Sequence, residues 1–121
     1  MPDDKKKLGH RGETAAISFL QTKGFIILET NYQTKIAEID IIAKDQDRIC
    51  FIEVKTRRSL KKGLPKESVT YSKQKKIILG ASLYLKTTQQ MNSKVRFDVV
   101  EVIEKKGQFN INLIKNAFQI F

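Results

Sequence analysis

The chain has one cysteine, one histidine and no tryptophan among its 121 residues, and only 6 glycines and 2 prolines. Cys50, being alone, excludes an intramolecular disulfide and any cysteine-rich zinc site. His10, also alone, excludes zinc sites that need two histidines, and no motif pairs it with a serine and an acid for nucleophilic hydrolysis. A metal bound by this chain would therefore be held by oxygen. No apolar run is long enough to cross a bilayer, and the basic N-terminus is followed by no hydrophobic stretch of the secretory kind. A cytoplasmic protein with no membrane partner is the expectation. Scarce Gly and Pro, with 40% hydrophobic and 30% charged residues, argue against disorder. The length predicts a single domain over 1–121, with 1–8 as a flexible basic tail.

Acidic residues are the other shortage: 13 against 23 Lys and Arg, a formal charge of +10. The excess is clustered. It gathers at Lys5, Lys6 and Lys7, at Arg57, Arg58, Lys61 and Lys62, and at Lys73, Lys75 and Lys76. A polyanion, nucleic acid above all, is the partner such clustering predicts, although a solubilising lysine surface would give the same count.

The acids that remain concentrate in one stretch, Glu38 to Arg57, which reads as a β-hairpin. Ile39, Ile41 and Ala43 alternate with Glu38, Asp40 and Ile42, so a strand would aim both carboxylates at one face. In the return strand Cys50, Ile52 and Val54 point one way and Ile49, Phe51, Glu53 and Lys55 the other. That sets Glu53 and Lys55 side by side, about 7 Å apart along the strand. The turn is the polar run Asp45 to Arg48. Charged residues on a strand are ordinarily solvated. Here Ile49 and Phe51 share the Glu53 face and predict that it is covered, which is costly unless the charges neutralise one another or hold a cation.

Around this hairpin the pattern predicts a helix from Gly9 to Lys23, with Ala16, Ile17, Phe19 and Leu20 inward and Gly24 as terminator. Glu13 lies three, four and seven positions before Ala16, Ile17 and Leu20 and so faces the core, either as a dipole partner or as a member of the site. A short strand at 25–29 and a polar connection at 31–35 precede the hairpin, and an exposed loop at 57–65 follows it. A second helix runs from Ser68 or Ser72 to Lys86. Its inward stripe begins at Lys73, which reads as a snorkelling edge lysine or a phosphate contact. Strands at 95–103 and 109–113 close the chain, with Arg96 and Asp98 placed for a structural ion pair. The predicted fold is α/β: a mixed central sheet flanked by helices, in the order α-β-β-β-α-β-β.

Carboxylates from adjacent strands form an oxygen site suited to Mg²⁺, which takes one or two carboxylates plus water and phosphate. Such an ion activates water and neutralises charge on a phosphodiester, and a lysine beside it can orient the water or stabilise the developing charge.

Asp40, followed thirteen residues on by Glu53-Val54-Lys55, is similar to the PD-(D/E)-x-K motif of restriction-endonuclease-like nucleases. The wider pattern resembles the small bacterial YraN family of predicted endonucleases. It comprises Arg11-Gly12-Glu13, Ala16, Phe19-Leu20, Gly24, Asn31, Glu38-Ile39-Asp40, Phe51 to Arg57, Gly63, Lys73, Ala81, Tyr84-Leu85, Arg96-Phe97-Asp98 and Asn116-Ala117-Phe118. Ala37 stands where that family usually has glycine, and Ile39 where the motif's name has proline. The resemblance implies a core related to archaeal Holliday-junction resolvases. It implies Glu13, Asp40 and Glu53 as ligands of Mg²⁺ or Mn²⁺, and Asp40, Glu53 and Lys55 as catalytic residues. The expected activity is metal-dependent cleavage of DNA, branched or damaged DNA included, with Arg57, Arg58, Lys61, Lys62 and Lys73 on the nucleic acid. Resolving a four-way junction would require a homodimer. The alternative is a nucleic-acid-binding module that keeps the fold and cleaves nothing.

Overall fold

The computed structural model describes residues 2–58 and 69–119. Its elements are α1 (Pro2–Thr22), β1 (Ile26–Gln33), β2 (Glu38–Asp45), β3 (Arg48–Arg57), α2 (Tyr71–Thr87), β4 (Lys94–Lys105) and β5 (Gln108–Phe118). They form one five-stranded sheet in chain order, antiparallel except between β3 and β4. The parallel pair exists because α2 carries the chain back to the starting edge, as parallel strands require.

Each side of the sheet carries its own core. On the α2 side Phe51, Phe97 and Phe118 stack in a row, with centroids 5.6 and 5.2 Å apart, and Tyr84 meets Phe51 edge-on. Ile49, Ile77, Ala81, Leu85 and Val99 fill the space between. On the α1 side Ala16 and Leu20 pack on Ile41, Ala43, Cys50, Ile52, Val100 and Val102. The alternation expected of β3 is therefore the observed one, with Cys50 and Ile52 toward α1, and Ile49 and Phe51 toward α2.

Three local differences from the sequence expectation matter. Helix α1 begins at Pro2 rather than Gly9, and Leu8 is buried, so the segment expected to be a tail is helical from Pro2. Proline suits a first helical position, where its missing N–H has no intrahelical partner to lose. Strand β1 runs on to Gln33, through residues expected to form a connection. Ile39 lies with Ile42 in the α2-side core, not with Ile41 and Ala43. The strict alternation of β2 thus fails at Asp40. There the β2–β3 ladder has ended at Ile41↔Ile52, while on the β1 side the pairing steps from Ile41↔Thr30 to Ile39↔Tyr32 across Asn31, at φ 51°.

Candidate active site

The break in β2 makes the site. Once the ladder ends, the Val54 N–H has lost its neighbour's carbonyl, and the Asp40 carboxylate takes that place, accepting the bond through Oδ2 at 2.8 Å. Asp40 is thus turned toward β3 by an unmet backbone donor, a group that must find a partner when buried. Strand β3 supplies Glu53, 5% exposed, and Lys55 beside it on the same face. Lys55 Nζ lies 3.9 Å from Glu53 Oε1. From α2, Lys73 donates to the same oxygen at 2.6 Å. The other oxygen of Glu53, Oε2, is buried and accepts no hydrogen bond from the described residues.

Glu13 arrives from α1. Helix and strand come together there because residue 12 is glycine: a Cβ at Gly12 would lie 2.8 Å from Thr56 Cβ, closer than real Cβ atoms pack. The Asn31 side chain lies close enough to favour the Glu13 anion, and Glu38 and Asp40 lie within reach of its charge. Glu38 and Asp40 form a ridge between two open hollows of about 410 Å³ each. One contains Glu53, Thr70, Ser72, Lys73 and Lys76. The other contains Lys6, His10, Glu13, Asn31 and Lys55.

The electrostatics follow from burial and crowding. Desolvation, then repulsion from Glu53, raises the Asp40 pKa to about 7, against the opposing Val54 bond. Burial also raises Glu13, with Asn31 and His10 pulling the other way. Lys55 is lowered by burial and by the neighbouring Lys73 charge. Burial works against the Lys73 charge too, but the bond and charge of Glu53 outweigh it and leave Lys73 above an ordinary lysine.

Among the described residues no three Asp, Glu, His or Cys side chains are grouped so that together they could hold a metal ion. The donors nonetheless fit Mg²⁺, which needs few protein oxygens. Among the described residues Glu53 Oε2 is a buried acceptor without a donor, and the Asp40 anion is disfavoured by burial and by the Glu53 charge, which a cation would relieve.

Asp40, Glu53 and Lys55 lie beside one another where β2 leaves β3, with Lys73 against Glu53, whereas Glu13 lines only the second hollow, with Asp40 and Lys55. The sequence reads Lys73 as a snorkelling edge lysine or a phosphate contact; in the structure its ammonium sits on Glu53. A basic residue in the first turn of a helix with no acid there was the available signal, since it opposes the helix dipole. Arg57 and Arg58 do not form one patch. Strand alternation sends them to opposite faces, where Arg57 is half-buried on the Glu53 side and exposed Arg58 meets Glu104 at 3.2 Å, next to Arg11. Lys61 and Lys62, with the loop around Gly63 and Pro65, lie outside the described residues. Glu101, which no sequence motif marked, is buried on β4 in register with Lys55 and Asn112.

Arg96 and Asp98 form the structural pair expected of them. Arg96 grips the fully buried Asp98 through Nε at 2.9 Å and Nη2 at 2.9 Å, and reaches Asp45 as well. Asp98 Oδ1 also accepts the Asn116 N–H at 2.9 Å, where the β4–β5 register shifts. The breaks at Asp40 and at Asp98 are thus stabilised alike, by a carboxylate standing in for a missing carbonyl.

A mixed α/β sheet of this order, with acids and lysines gathered at a break beside its central strand, has the layout expected of a restriction-endonuclease-like core. Residues 12–102 match the family described as "Uncharacterised protein family UPF0102", and the chain belongs to that family, the YraN family of the sequence resemblance. A UPF0102 protein of Desulforapulum autotrophicum is 48% identical over 119 residues, covering 98% of each chain. One from Clostridioides difficile is 50% identical over 117 residues, with 95% of this chain and 99% of its own covered. One from Caldicellulosiruptor saccharolyticus is 46% identical with the same coverage.

Proposed function

We propose that the chain is a divalent-metal-dependent endonuclease that hydrolyses DNA phosphodiesters. The observation that carries this reading is the buried Glu53 Oε2, which has no partner among the described residues, beside an Asp40 carboxyl raised to about 7. Such an arrangement costs stability, and uncompensated costs of this kind collect at functional sites. Asp40 and Glu53 would hold Mg²⁺ or Mn²⁺, with Glu13 as an auxiliary ligand. When bound, the ion supplies an activated water and offsets charge on the phosphodiester. Val54 fixes the orientation of Asp40, and Lys73 that of Glu53. Lys55, at the margin of both acids, is a compact point charge able to orient the attacking water or to stabilise negative charge on the phosphate. A formal charge of +10 favours a polyanion at the open hollows. Branched or damaged DNA is the substrate class suggested by the resemblance, a four-way junction calling for a homodimer, and such a substrate suits a cytoplasmic protein.

One observation favours the second reading, a nucleic-acid-binding module without cleavage: Lys73 already neutralises one oxygen of Glu53. The two are separated by offering linear duplex, single strand, flap and four-way junction with Mg²⁺, Mn²⁺ or EDTA. Metal-dependent cutting lost in Glu53→Ala and Lys55→Ala is the expected result. Binding without cutting, indifferent to both changes, would replace the nuclease by the module.

A further inference from the structure

Lys73 is a lysine in an unfavourable place. It lies in the first turn of a 17-residue helix that carries no acid there, so the positive end of the helix dipole repels it. More than half its side chain is withdrawn from water, and a second ammonium, Lys55, competes for the same oxygen. One contact offsets these costs: the 2.6 Å charge-assisted bond to Glu53 Oε1. Glu53, for its part, is 5% exposed and would be a severely desolvated anion without that bond. Lys73 and Glu53 are therefore each other's counter-ions, and the oxygen they share belongs to the carboxylate assigned above to the metal.

On the strength of that metal-binding reading, on which it rests, we infer that Lys73 is the internal counter-ion of the metal-free site. It competes with the divalent cation for Glu53 and sets the affinity with which the ion enters. Two positive charges cannot both take the short contact, because at such separations in a poorly hydrated pocket their repulsion is large. Entry of the metal requires the ammonium to leave Oε1. Its exit is open: Lys73 borders the hollow that also holds Ser72 and Lys76, and 40% of its side chain is already exposed. Lys73 is a positioning residue in this account, acting on the reaction through Glu53. Its charge keeps Glu53 aimed into the gap beside Asp40 while the metal is absent, and weakens metal binding as a consequence.

The test is calorimetric titration of the full chain with Mg²⁺ and with Mn²⁺, without nucleic acid. The proteins are wild type, Lys73→Met, Lys73→Gln, Lys73→Arg and Glu53→Gln. Loss of one charge-assisted bond from the metal-free state predicts that Lys73→Met and Lys73→Gln bind about tenfold or more tightly than wild type. Lys73→Arg, which keeps the charge, stays near wild type, and Glu53→Gln binds weakly. Lys73→Gln retains a hydrogen-bond donor toward Glu53, so it covers the case in which Lys73→Met does not fold. A merely structural role for Lys73 would lower or leave unchanged the affinity of the Gln variant, and that outcome overturns the inference. Equal metal affinity in all the Lys73 variants, together with metal-dependent cleavage by the wild type, removes the inference and leaves the nuclease reading in place. No binding by any variant removes both.

Discussion

Replacing Asp40 by asparagine should make the metal-free protein more stable, and the gain should depend on pH in a defined way. Asp40 is raised from 3.8 to about 7, first by burial and then by Glu53. Between those values the folded chain retains a proton that the unfolded chain has released, so stability falls as pH rises through the window. One pKa unit corresponds to about 1.36 kcal/mol, which sets a ceiling of about 4 kcal/mol on the cost at pH 8. Because part of the rise comes from the Glu53 charge rather than from burial, about 2 kcal/mol is the smaller expectation. Asparagine is nearly isosteric, and its Oδ1 can still accept the Val54 N–H. For a domain of this length a gain of 2 to 4 kcal/mol raises Tm by on the order of 10 °C. The assay is thermal and urea unfolding of wild type and Asp40→Asn in EDTA from pH 4 to 8. The two curves should converge near pH 4 and separate toward pH 8, the variant being the more stable. Saturating Mg²⁺ should narrow that gap, since a ligand at a hundred times its Kd adds about 2.7 kcal/mol to the protein that binds it. A variant less stable at pH 8 without metal, or a difference that does not change with pH, would refute the reasoning.

Three further outcomes are expected. Gly12→Ala forces a Cβ to within 2.8 Å of Thr56 Cβ on a strand that cannot retreat, and should cost about 3 kcal/mol in urea unfolding. Thr56→Ala in the same chain should recover part of that loss. Asp98→Ala strands Arg96 and the Asn116 N–H, and should cost about 3–5 kcal/mol, with Asp98→Asn milder because it still accepts from the backbone. Cys50, buried and raised to about 12, should resist a thiol reagent in the native protein at pH 8 and react fully in denaturant. Rapid native labelling would show that the α1-side core opens.

The sequence by itself determined the element order and which face of β3 is charged, because period-two alternation needs only local spacing. It also singled out Glu13, Asp40, Glu53 and Lys55, since acids among apolar neighbours stand out where burial is costly, as did the Arg96–Asp98 pair. Tertiary structure decided what spacing cannot carry. Whether Ile39 follows Ile41 or Ile42 depends on where β2 leaves β3, and that is set by the Val54 N–H finding the Asp40 carboxylate fourteen residues away. Lys73 is a helix-start lysine in the sequence and the counter-ion of Glu53 in the fold, a pairing across twenty residues that local pattern cannot see. Arg57 and Arg58 look like one basic patch until the strand places them on opposite faces. In each case the local chemistry was legible, and the partner was chosen by a backbone or side-chain group distant in sequence that burial left in need of one.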